Sequence, residues 1–165
     1  MYDAPLEGIE IPLIQTGVSS APPVLRISLD METLQPTRIL LVDDDKSVRE
    51  SLYTLLERDG YEVLASSNGP EALSIFRRSV RPIELLVTDY NMPRMSGLEL
   101  ARECSRLRAE LGVLYVSGSR PDAELQADLQ ARKRGFLAKP FRGNELLRKA
   151  RELLVEPAEQ LSLSS

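Results

Sequence analysis

The stretch that decides the fold is Ile39-Leu40-Leu41-Val42-Asp43-Asp44-Asp45, an apolar run that ends in three carboxylates. Two later and largely apolar runs, residues 83–88 and 136–138, end in Asp89 and in Lys139. Short runs bounded by charge or turn residues are typical of strands buried in a parallel sheet. The carboxyl ends of parallel strands lie side by side, and ligands bind just outside them. The side chains expected to meet in one cleft are Asp43, Asp44, Asp89 and Lys139.

Three carboxylates and one ammonium in a single cleft point to a divalent cation and a phosphoryl group. Two carboxylates about 4 Å apart repel each other by roughly 4 kcal/mol at an effective dielectric constant near 20. Lys139 supplies one compensating charge, and a bound Mg²⁺ would supply the rest. Mg²⁺ is usually held by a few carboxylates together with water and phosphate oxygens, so these residue types suit it.

From Thr37 onward, segments with strand and helix patterns alternate along the chain. The predicted strands cover residues 39–42, 61–65, 83–89, 113–117 and 136–138. A helical pattern follows each of them, which makes five strand–helix units. This alternation indicates an α/β fold, (βα)5, in which a mostly parallel sheet carries helices on both faces.

The predicted helices carry start and stop signals. The first apolar stripe ends at Gly60, and Pro70 opens the second helix. Ser96-Gly97-Leu98-Glu99 matches a capping box and starts the third. The side chains predicted to face inward from the third helix are Leu98, Ala101, Cys104 and Leu107. A fourth helix is predicted from Pro121 to about Arg134. The apolar face of the last helix is formed by Leu146, Leu147, Ala150, Leu153 and Leu154.

Composition excludes several kinds of chemistry. The chain has no histidine, which removes Ser-His-Asp and Cys-His nucleophiles, histidine zinc sites and a phosphohistidine on this chain. Its single cysteine, Cys104, forms no internal disulfide. No apolar run reaches the length of a membrane span, and the N-terminus lacks a signal-peptide pattern. A cytoplasmic protein without membrane attachment is therefore expected.

Residues 1–36 differ in composition from the rest of the chain. They hold five of the 11 prolines and five acids against one base, whereas residues 37–165 hold 20 acids and 20 bases. Residues 37–165 therefore carry no net charge, which gives no reason to expect direct binding to nucleic acid. Apolar residues alternate over residues 9–13 and 25–31, which is a strand signal. Two interpretations stay open: a disordered extension, or a hairpin that pairs with a partner or a second copy.

Four motifs follow one another at successive strand ends. They are Leu41-Val42-Asp43-Asp44-Asp45, Thr88-Asp89-Tyr90-Asn91-Met92-Pro93, Val116-Ser117-Gly118 and Ala138-Lys139-Pro140-Phe141. Together they resemble the receiver domain of bacterial two-component response regulators. The resemblance covers residues 37–155, between an extension at 1–36 and a tail at 156–165. It implies a flavodoxin-like fold with a five-stranded parallel sheet in the order 2-1-3-4-5. Single-domain, chemotaxis-regulator-like receivers are the nearest type, so no DNA-binding domain is expected after the tail.

The resemblance also implies a role for each site residue. Asp89 would accept a phosphoryl group from a sensor histidine kinase or a histidine phosphotransfer protein, and Lys139 and Ser117 would contact its oxygens. Mg²⁺ would be the cofactor. Its implied ligands are the side chains of Asp43, Asp44 and Asp89 and the backbone carbonyl of Asn91. Ser117 and Phe136 would rearrange on phosphorylation and so switch partner binding. The alternative for Phe136, a core aromatic that does not move, stays open. The chain is expected to be a signalling protein of a phosphorelay and not an enzyme.

Two other functional classes stay open. One is an enzyme of the aspartyl-phosphate phosphatase type, and the other is a scaffold that binds its partner without being phosphorylated. By the resemblance, the phosphodonor would dock beside the cleft. The contacts expected there are Ser47, Val48, Ser51 and Pro140-Phe141.

Residues 130–151 carry eight basic side chains against one acid, Glu145. This stretch is either an ordinary solvated face or a surface for an acidic partner. One hypothesis is that residues 1–36 pack on it. A homodimer formed through the last helices or through the extension is a further alternative.

Overall fold

The computed structural model describes residues 35–154, in which five strands and five helices alternate. The strands are β1 (Arg38–Val42), β2 (Glu62–Ser66), β3 (Leu85–Asp89), β4 (Gly112–Ser117) and β5 (Arg134–Ala138). The helices are α1 (Lys46–Arg58), α2 (Gly69–Arg78), α3 (Gly97–Leu107), α4 (Ala123–Asp128) and α5 (Gly143–Leu154). The strand signals over residues 9–13 and 25–31 and the tail at 156–165 lie outside the described residues.

The five strands form one parallel sheet in the order β2-β1-β3-β4-β5, so the predicted fold class and strand order are confirmed. β3 therefore lies between β1 and β4, and β5 is an edge strand. Val42 pairs with Thr88, and Ser117 pairs with Ala138. This register brings the carboxyl ends of four strands together at one end of the sheet. Residues that are far apart in sequence meet there because of the strand order.

Helices cover both faces of the sheet because successive side chains of each strand enter two different apolar layers. Leu40, Leu86 and Tyr115 belong to the layer that also contains side chains of α2, α3 and α4. Leu41 and Val87 belong to the layer that contains side chains of α1 and α5. Burial of each large apolar side chain contributes about 1.5–3 kcal/mol relative to exposure, so both layers stabilise the sheet.

Two local signals of the sequence are confirmed at helix ends. The Ser96 hydroxyl accepts a hydrogen bond from the backbone N–H of Glu99 at 3.2 Å. The Glu99 carboxylate accepts one from the backbone N–H of Ser96 at 2.8 Å, which completes the capping box of α3. Gly60, just after α1, has a φ of 94°, a left-handed conformation that glycine adopts without steric cost. Most element boundaries differ from the predicted ones by one or two residues.

The prediction for the fourth helix is wrong. A helix was expected over residues 121–134, but α4 covers only Ala123–Asp128. Leu125 is buried, and Leu129 is partly buried just after the helix. The residues one turn beyond Leu129 are charged, so a longer helix would have no apolar side chain to pack on the sheet. Lys133 has a φ of 54° and turns the chain into β5, which begins two residues earlier than expected.

The prediction that Leu107 faces inward is also wrong. Leu98, Ala101 and Cys104 are at most 3% exposed, as expected for the apolar stripe of α3, but Leu107 is 56% exposed. Leu107 is the last residue of the helix. The stripe therefore continues for one position beyond the part of α3 that is covered by the rest of the domain.

Candidate functional site

Three carboxylates gather where β1 and β3 end. Asp43 and Asp44 follow β1 directly, and Asp89 is the last residue of β3. One carboxylate oxygen from each of the three lies within 4.8 Å of the others. Asp43 is 1% exposed and Asp89 is 9% exposed, whereas Asp44 is exposed to solvent. The cluster is therefore buried on one side and open on the other.

The cluster fits a small divalent cation. Mg²⁺ binds oxygens at about 2.0–2.1 Å in an octahedron, so its ligand oxygens stand about 3–4 Å apart. Oxygens that already lie within 4.8 Å of one another need only small side-chain rotations to reach that spacing. All three are carboxylate oxygens, the hard donors that Mg²⁺ prefers to nitrogen or sulfur.

Lys139, the first residue after β5, brings an ammonium group into the cluster. Its Nζ lies 3.1 Å from Oδ2 of Asp43 and 3.6 Å from Oδ1 of Asp89. Its backbone N–H donates to the carbonyl oxygen of Ser117 at 2.8 Å, which continues the pairing of β4 with β5 by one residue. The four side chains that were expected to meet in one cleft are therefore brought together.

Charge and burial compete at Asp89. Burial raises the pKa of the Asp89 carboxyl, Lys139 lowers it, and Asp43 and Asp44 raise it, so the pKa lies above its ordinary value. Burial alone would lower the pKa of the Lys139 amine, but its contacts with Asp43 and Asp89 prevail and raise it. Lys139 therefore stays charged, and the negative charge left beside Asp89 favours a bound cation.

Arg49 is a site residue that the sequence analysis missed. Its guanidinium Nη1 donates to the backbone carbonyl of Asp43 at 2.6 Å. The side chain of Asp43 is held as well, because its Oδ1 accepts from the backbone N–H of Asp45 at 2.9 Å. Arg49 therefore closes the turn in which the two neighbouring acids lie. The one sequence signal for this role is that an arginine lies in the first helical turn after the acidic run. That signal does not reveal which atom the guanidinium contacts.

Ser117 and Asn91 lie together at the same edge of the sheet. Ser117 ends β4 and is 0% exposed. Its Oγ accepts a hydrogen bond from Nδ2 of Asn91 at 3.3 Å and another from the backbone N–H of Ser119 at 3.1 Å. The hydroxyl is therefore anchored by the loops that follow β3 and β4.

Phe136, the predicted switch partner of Ser117, lies two positions before the end of β5. It pairs with Tyr115, while Ser117 pairs with Ala138. Ser117 and Phe136 are thus on adjacent strands and offset by two positions along the ladder. Phe136 is half-buried and packs against the apolar layer that contains Tyr115.

Gly97 is a second residue that the sequence analysis did not assign to the site. A Cβ atom at this position would lie 2.2 Å from the carbonyl oxygen of Asp89 and 3.0 Å from Oγ1 of Thr88. The start of α3 therefore approaches the end of β3 so closely that only glycine fits. Thr88 also donates its hydroxyl to the same carbonyl oxygen at 2.9 Å, which fixes the backbone of Asp89.

Two tyrosines join the site to α4. Tyr90, directly after Asp89, donates its hydroxyl to Asp122 at 2.6 Å, and Tyr115 donates to Asp128 at 2.6 Å. Asp122 is the N-cap of α4 and Asp128 is its last residue. The two rings meet edge to face, with centroids 6.4 Å apart. α4 is therefore held at both ends by tyrosines, of which Tyr115 is in the core and Tyr90 packs against it.

The basic stretch at residues 130–151 is not a continuous positive surface. Arg134 pairs with Asp128 at 3.2 Å, and Arg151 pairs with Asp59 at 2.6 Å. Arg148 and Lys149 both reach Glu152, which lies just outside the stretch. Partners at the end of α1, in α4 and at the end of α5 thus compensate much of the charge. The hypothesis that residues 1–36 pack here falls on residues 1–34, which lie outside the described range.

Similarity to known proteins covers this domain. The family model for the response regulator receiver domain matches residues 39–151. The chain is 40% identical over 119 residues to the response regulator MprA of Mycobacterium sp. strain KMS, an alignment that covers 72% of this chain and 51% of that protein. The chain therefore spans about half the length of the curated relatives it matches.

Solved structures agree in fold. A CheY-like response regulator receiver domain protein from Methanospirillum hungatei superimposes with a TM-score of 0.67 at 30% identity, covering 73% of this chain and 94% of that one. The response regulator TrrA from Thermotoga maritima, solved in complex with Mg²⁺-BeF, has a TM-score of 0.61 at 32% identity and covers 72% and 99%. Within residues 35–154, none of the helices is both long and apolar enough to cross a membrane.

Proposed function

Because this chain belongs to the response regulator receiver domain family, we propose that it is a phosphorylation switch in which Asp89 receives a phosphoryl group from a histidine kinase or a histidine phosphotransfer protein. The observation that carries the proposal is the cluster of Asp43, Asp44, Asp89 and Lys139 at the carboxyl ends of β1, β3 and β5. Phosphoryl transfer depends chiefly on positioning and charge neutralisation, and these side chains supply both.

In the proposed step a carboxylate oxygen of Asp89 attacks the phosphorus of the donor phosphohistidine. A P–O bond forms, the P–N bond breaks, and its electron pair returns to the donor's imidazole nitrogen. The ammonium of Lys139, 3.6 Å from Oδ1 of Asp89, is in position to pair with an oxygen of the transferred group. The hydroxyl of Ser117, now held by Asn91, is available to donate to a second oxygen.

Mg²⁺ is the proposed cofactor. Its ligands would be the carboxylates of Asp43, Asp44 and Asp89 together with the backbone carbonyl of Asn91. When bound, the ion would neutralise the charge shared by the carboxylates and the phosphoryl oxygens. The contacts of Arg49 and Asp45 with Asp43 hold that residue in place for this role.

The switch would act through Ser117 and Phe136. A phosphoryl group adds a charge of about −1.5 to −2, which attracts a hydroxyl donor. Ser117 would exchange its contact with Asn91 for one with the phosphoryl group, and the half-buried ring of Phe136 on the next strand would turn inward. The phosphodonor would dock beside the cleft, on the exposed side of α1 at Ser47 and Ser51 and on the loop after Lys139.

Intact-mass spectrometry of the full chain after incubation with acetyl phosphate and Mg²⁺ tests the proposal. We expect a mass gain of one phosphoryl group in the unaltered chain, and none in Asp89→Asn or after chelation of the metal. Asp59→Asn removes a carboxylate that pairs with Arg151 on the surface, so this control is expected to keep the modification. Equal modification of Asp89→Asn would contradict the proposal. Absence of any modification would favour the scaffold alternative.

A further inference from the structure

The end of the sheet opposite the acidic cluster exposes apolar surface. Among the described residues, the large apolar side chains that stand out in solvent are Val80, 99% exposed, and Leu107, 56% exposed. Val80 lies in the loop between α2 and β3, and Leu107 ends α3. Both precede a strand, so they lie near the amino ends of β3 and β4. Leu107 also continues the apolar stripe of α3 beyond its covered part.

A surface pocket of about 280 Å³ lies beside Leu107. Apolar atoms of Phe76, Ile83 and Leu107 contribute to its wall. Its other lining residues include three arginines and no acid. These arginines are Arg77, Arg81 and Arg108. The site therefore combines a seat for an apolar side chain with a positively charged rim.

Two of the three rim arginines have no partner within residues 35–154. Arg81 pairs with Glu62 and donates to the carbonyl of Pro36 at 2.9 Å, so its charge is compensated. Arg77 and Arg108 make no side-chain hydrogen bond or ion pair with any other described residue. Arg77 lies in the last turn of α2, where the helix dipole favours a cation, but the guanidinium still lacks an anion. The rim thus presents two guanidinium groups without a bound carboxylate, although Arg108 also borders a neighbouring pocket that contains Glu84 and Glu110.

We propose that this arginine-rimmed pocket docks an acidic segment of a partner protein. An apolar side chain of the segment enters the pocket against Phe76 and Leu107, and carboxylates on either side of it pair with Arg77 and Arg108. Guanidinium groups suit this role because they bind carboxylates through two parallel hydrogen bonds. Docking here leaves the phosphorylation cleft, at the other end of the strands, free for a phosphodonor.

Charge argues against two other occupants. A second copy that used the same patch around a two-fold axis would set arginines against arginines, which repel. A phosphate-rich ligand would satisfy the arginines, but it would gain nothing from the apolar wall and would leave Val80 and Leu107 exposed. An acidic segment with a large apolar side chain is the ligand that uses both halves of the site.

The test uses the full chain and an acetylated 12-residue peptide built from glutamate and leucine in helical spacing. We expect the peptide to shift the backbone amide NMR signals of Val80, Leu107 and Arg108, and to leave those of Asp43 and Ser117 unchanged. Binding should weaken in about 1 M NaCl, where the screening length falls to about 3 Å. A peptide with lysine in place of every glutamate should not bind.

Variants separate the charged and apolar parts of the site. Arg77→Glu together with Arg108→Glu should weaken peptide binding by about tenfold or more, because like charges then face each other. Leu107→Ser should weaken it by removing apolar contact on an already exposed side chain, so folding is not at risk. Arg58→Glu is the matched control, since Arg58 is also an exposed arginine in the last turn of a helix, and it should bind as the unaltered chain does.

Three results of the peptide titration would overturn this proposal. They are absence of binding, equal binding of the lysine peptide, and shifts that map to another surface. Amide shifts of Val80 and Leu107 that depend on protein concentration without peptide would point to a second copy instead and would also overturn it. Phosphorylation of Asp89 is measured separately, so failure here leaves the proposed switch untouched.

Discussion

At the scale of single residues, the site depends on a close approach that one methyl group would prevent. A Cβ on residue 97 would lie 2.2 Å from the carbonyl oxygen of Asp89, far inside van der Waals contact. We therefore expect Gly97→Ala to lower the free energy of unfolding by about 1–3 kcal/mol, the usual cost of overpacking. Urea denaturation measures this difference.

Gly118→Ala is the control for that variant. A Cβ on Gly118 would meet no atom within 4 Å, although the residue lies directly after β4. We expect its stability to stay within about 0.5 kcal/mol of that of the unaltered chain. Equal stability of the two variants would show that α3 does not press on the end of β3 as described.

Cys104 provides a second residue-scale prediction. It is 0% exposed, and burial raises the pKa of its thiol to about 12. Since the folded pKa lies above the unfolded value, the folded state keeps the thiol protonated, and its contribution to stability is lost as pH rises toward 12. At pH 8 a disulfide reagent should modify Cys104 in the native chain only at the rate at which the chain unfolds. In urea, where the chain is unfolded, the reagent should modify it at once. Rapid modification of the native chain at pH 8 would contradict this burial.

At the scale of elements, α4 is the part of the domain that depends most on side-chain hydrogen bonds. It has six residues and one buried side chain, Leu125, so apolar packing alone holds it weakly. Tyr115→Phe removes the hydroxyl that binds Asp128 and should cost about 1 kcal/mol. Hydrogen exchange of the α4 amides should accelerate. Tyr53→Phe, which loses an exposed contact to Glu57, should change neither quantity. Unaltered exchange in Tyr115→Phe would mean that the tyrosine does not hold α4.

The observed elements show which features of the fold and the site could be predicted from the sequence. The parallel sheet, the capping box at Ser96 and the cleft of four charged side chains follow from apolar runs, turn signals and strand-end residues, which are local patterns. The short α4 could not be predicted, because its end depends on what the sheet leaves available to bury after Leu129. The contact of Arg49 with the Asp43 carbonyl depends on the path of one turn. The exposure of Leu107 depends on where the neighbouring elements stop.

At the scale of the whole molecule, the sheet separates two proposed functions at its two ends. The carboxyl ends of the strands hold the acidic cluster, and the amino ends of β3 and β4 hold the arginine-rimmed pocket. The proposed Mg²⁺ site exists only in the folded arrangement of Asp43, Asp44 and Asp89, so Mg²⁺ should stabilise the native state. At ten times its dissociation constant the gain is about 1.4 kcal/mol, and the melting temperature should rise by several degrees. Asp43→Asn should reduce this rise, and a chelator in excess over Mg²⁺ should abolish it. An unchanged melting curve at millimolar Mg²⁺ would count against the metal site.

We propose that one Mg²⁺-dependent phosphoryl site links Asp89 to Ser117, Phe136 and Lys139. The most direct measurement is the amide NMR spectrum of the full chain with beryllofluoride, recorded with and without Mg²⁺ and again for Asp89→Asn. We expect new signals for those four residues that require both Mg²⁺ and the Asp89 carboxylate. No change with both reagents present, or the same change in Asp89→Asn, would contradict it.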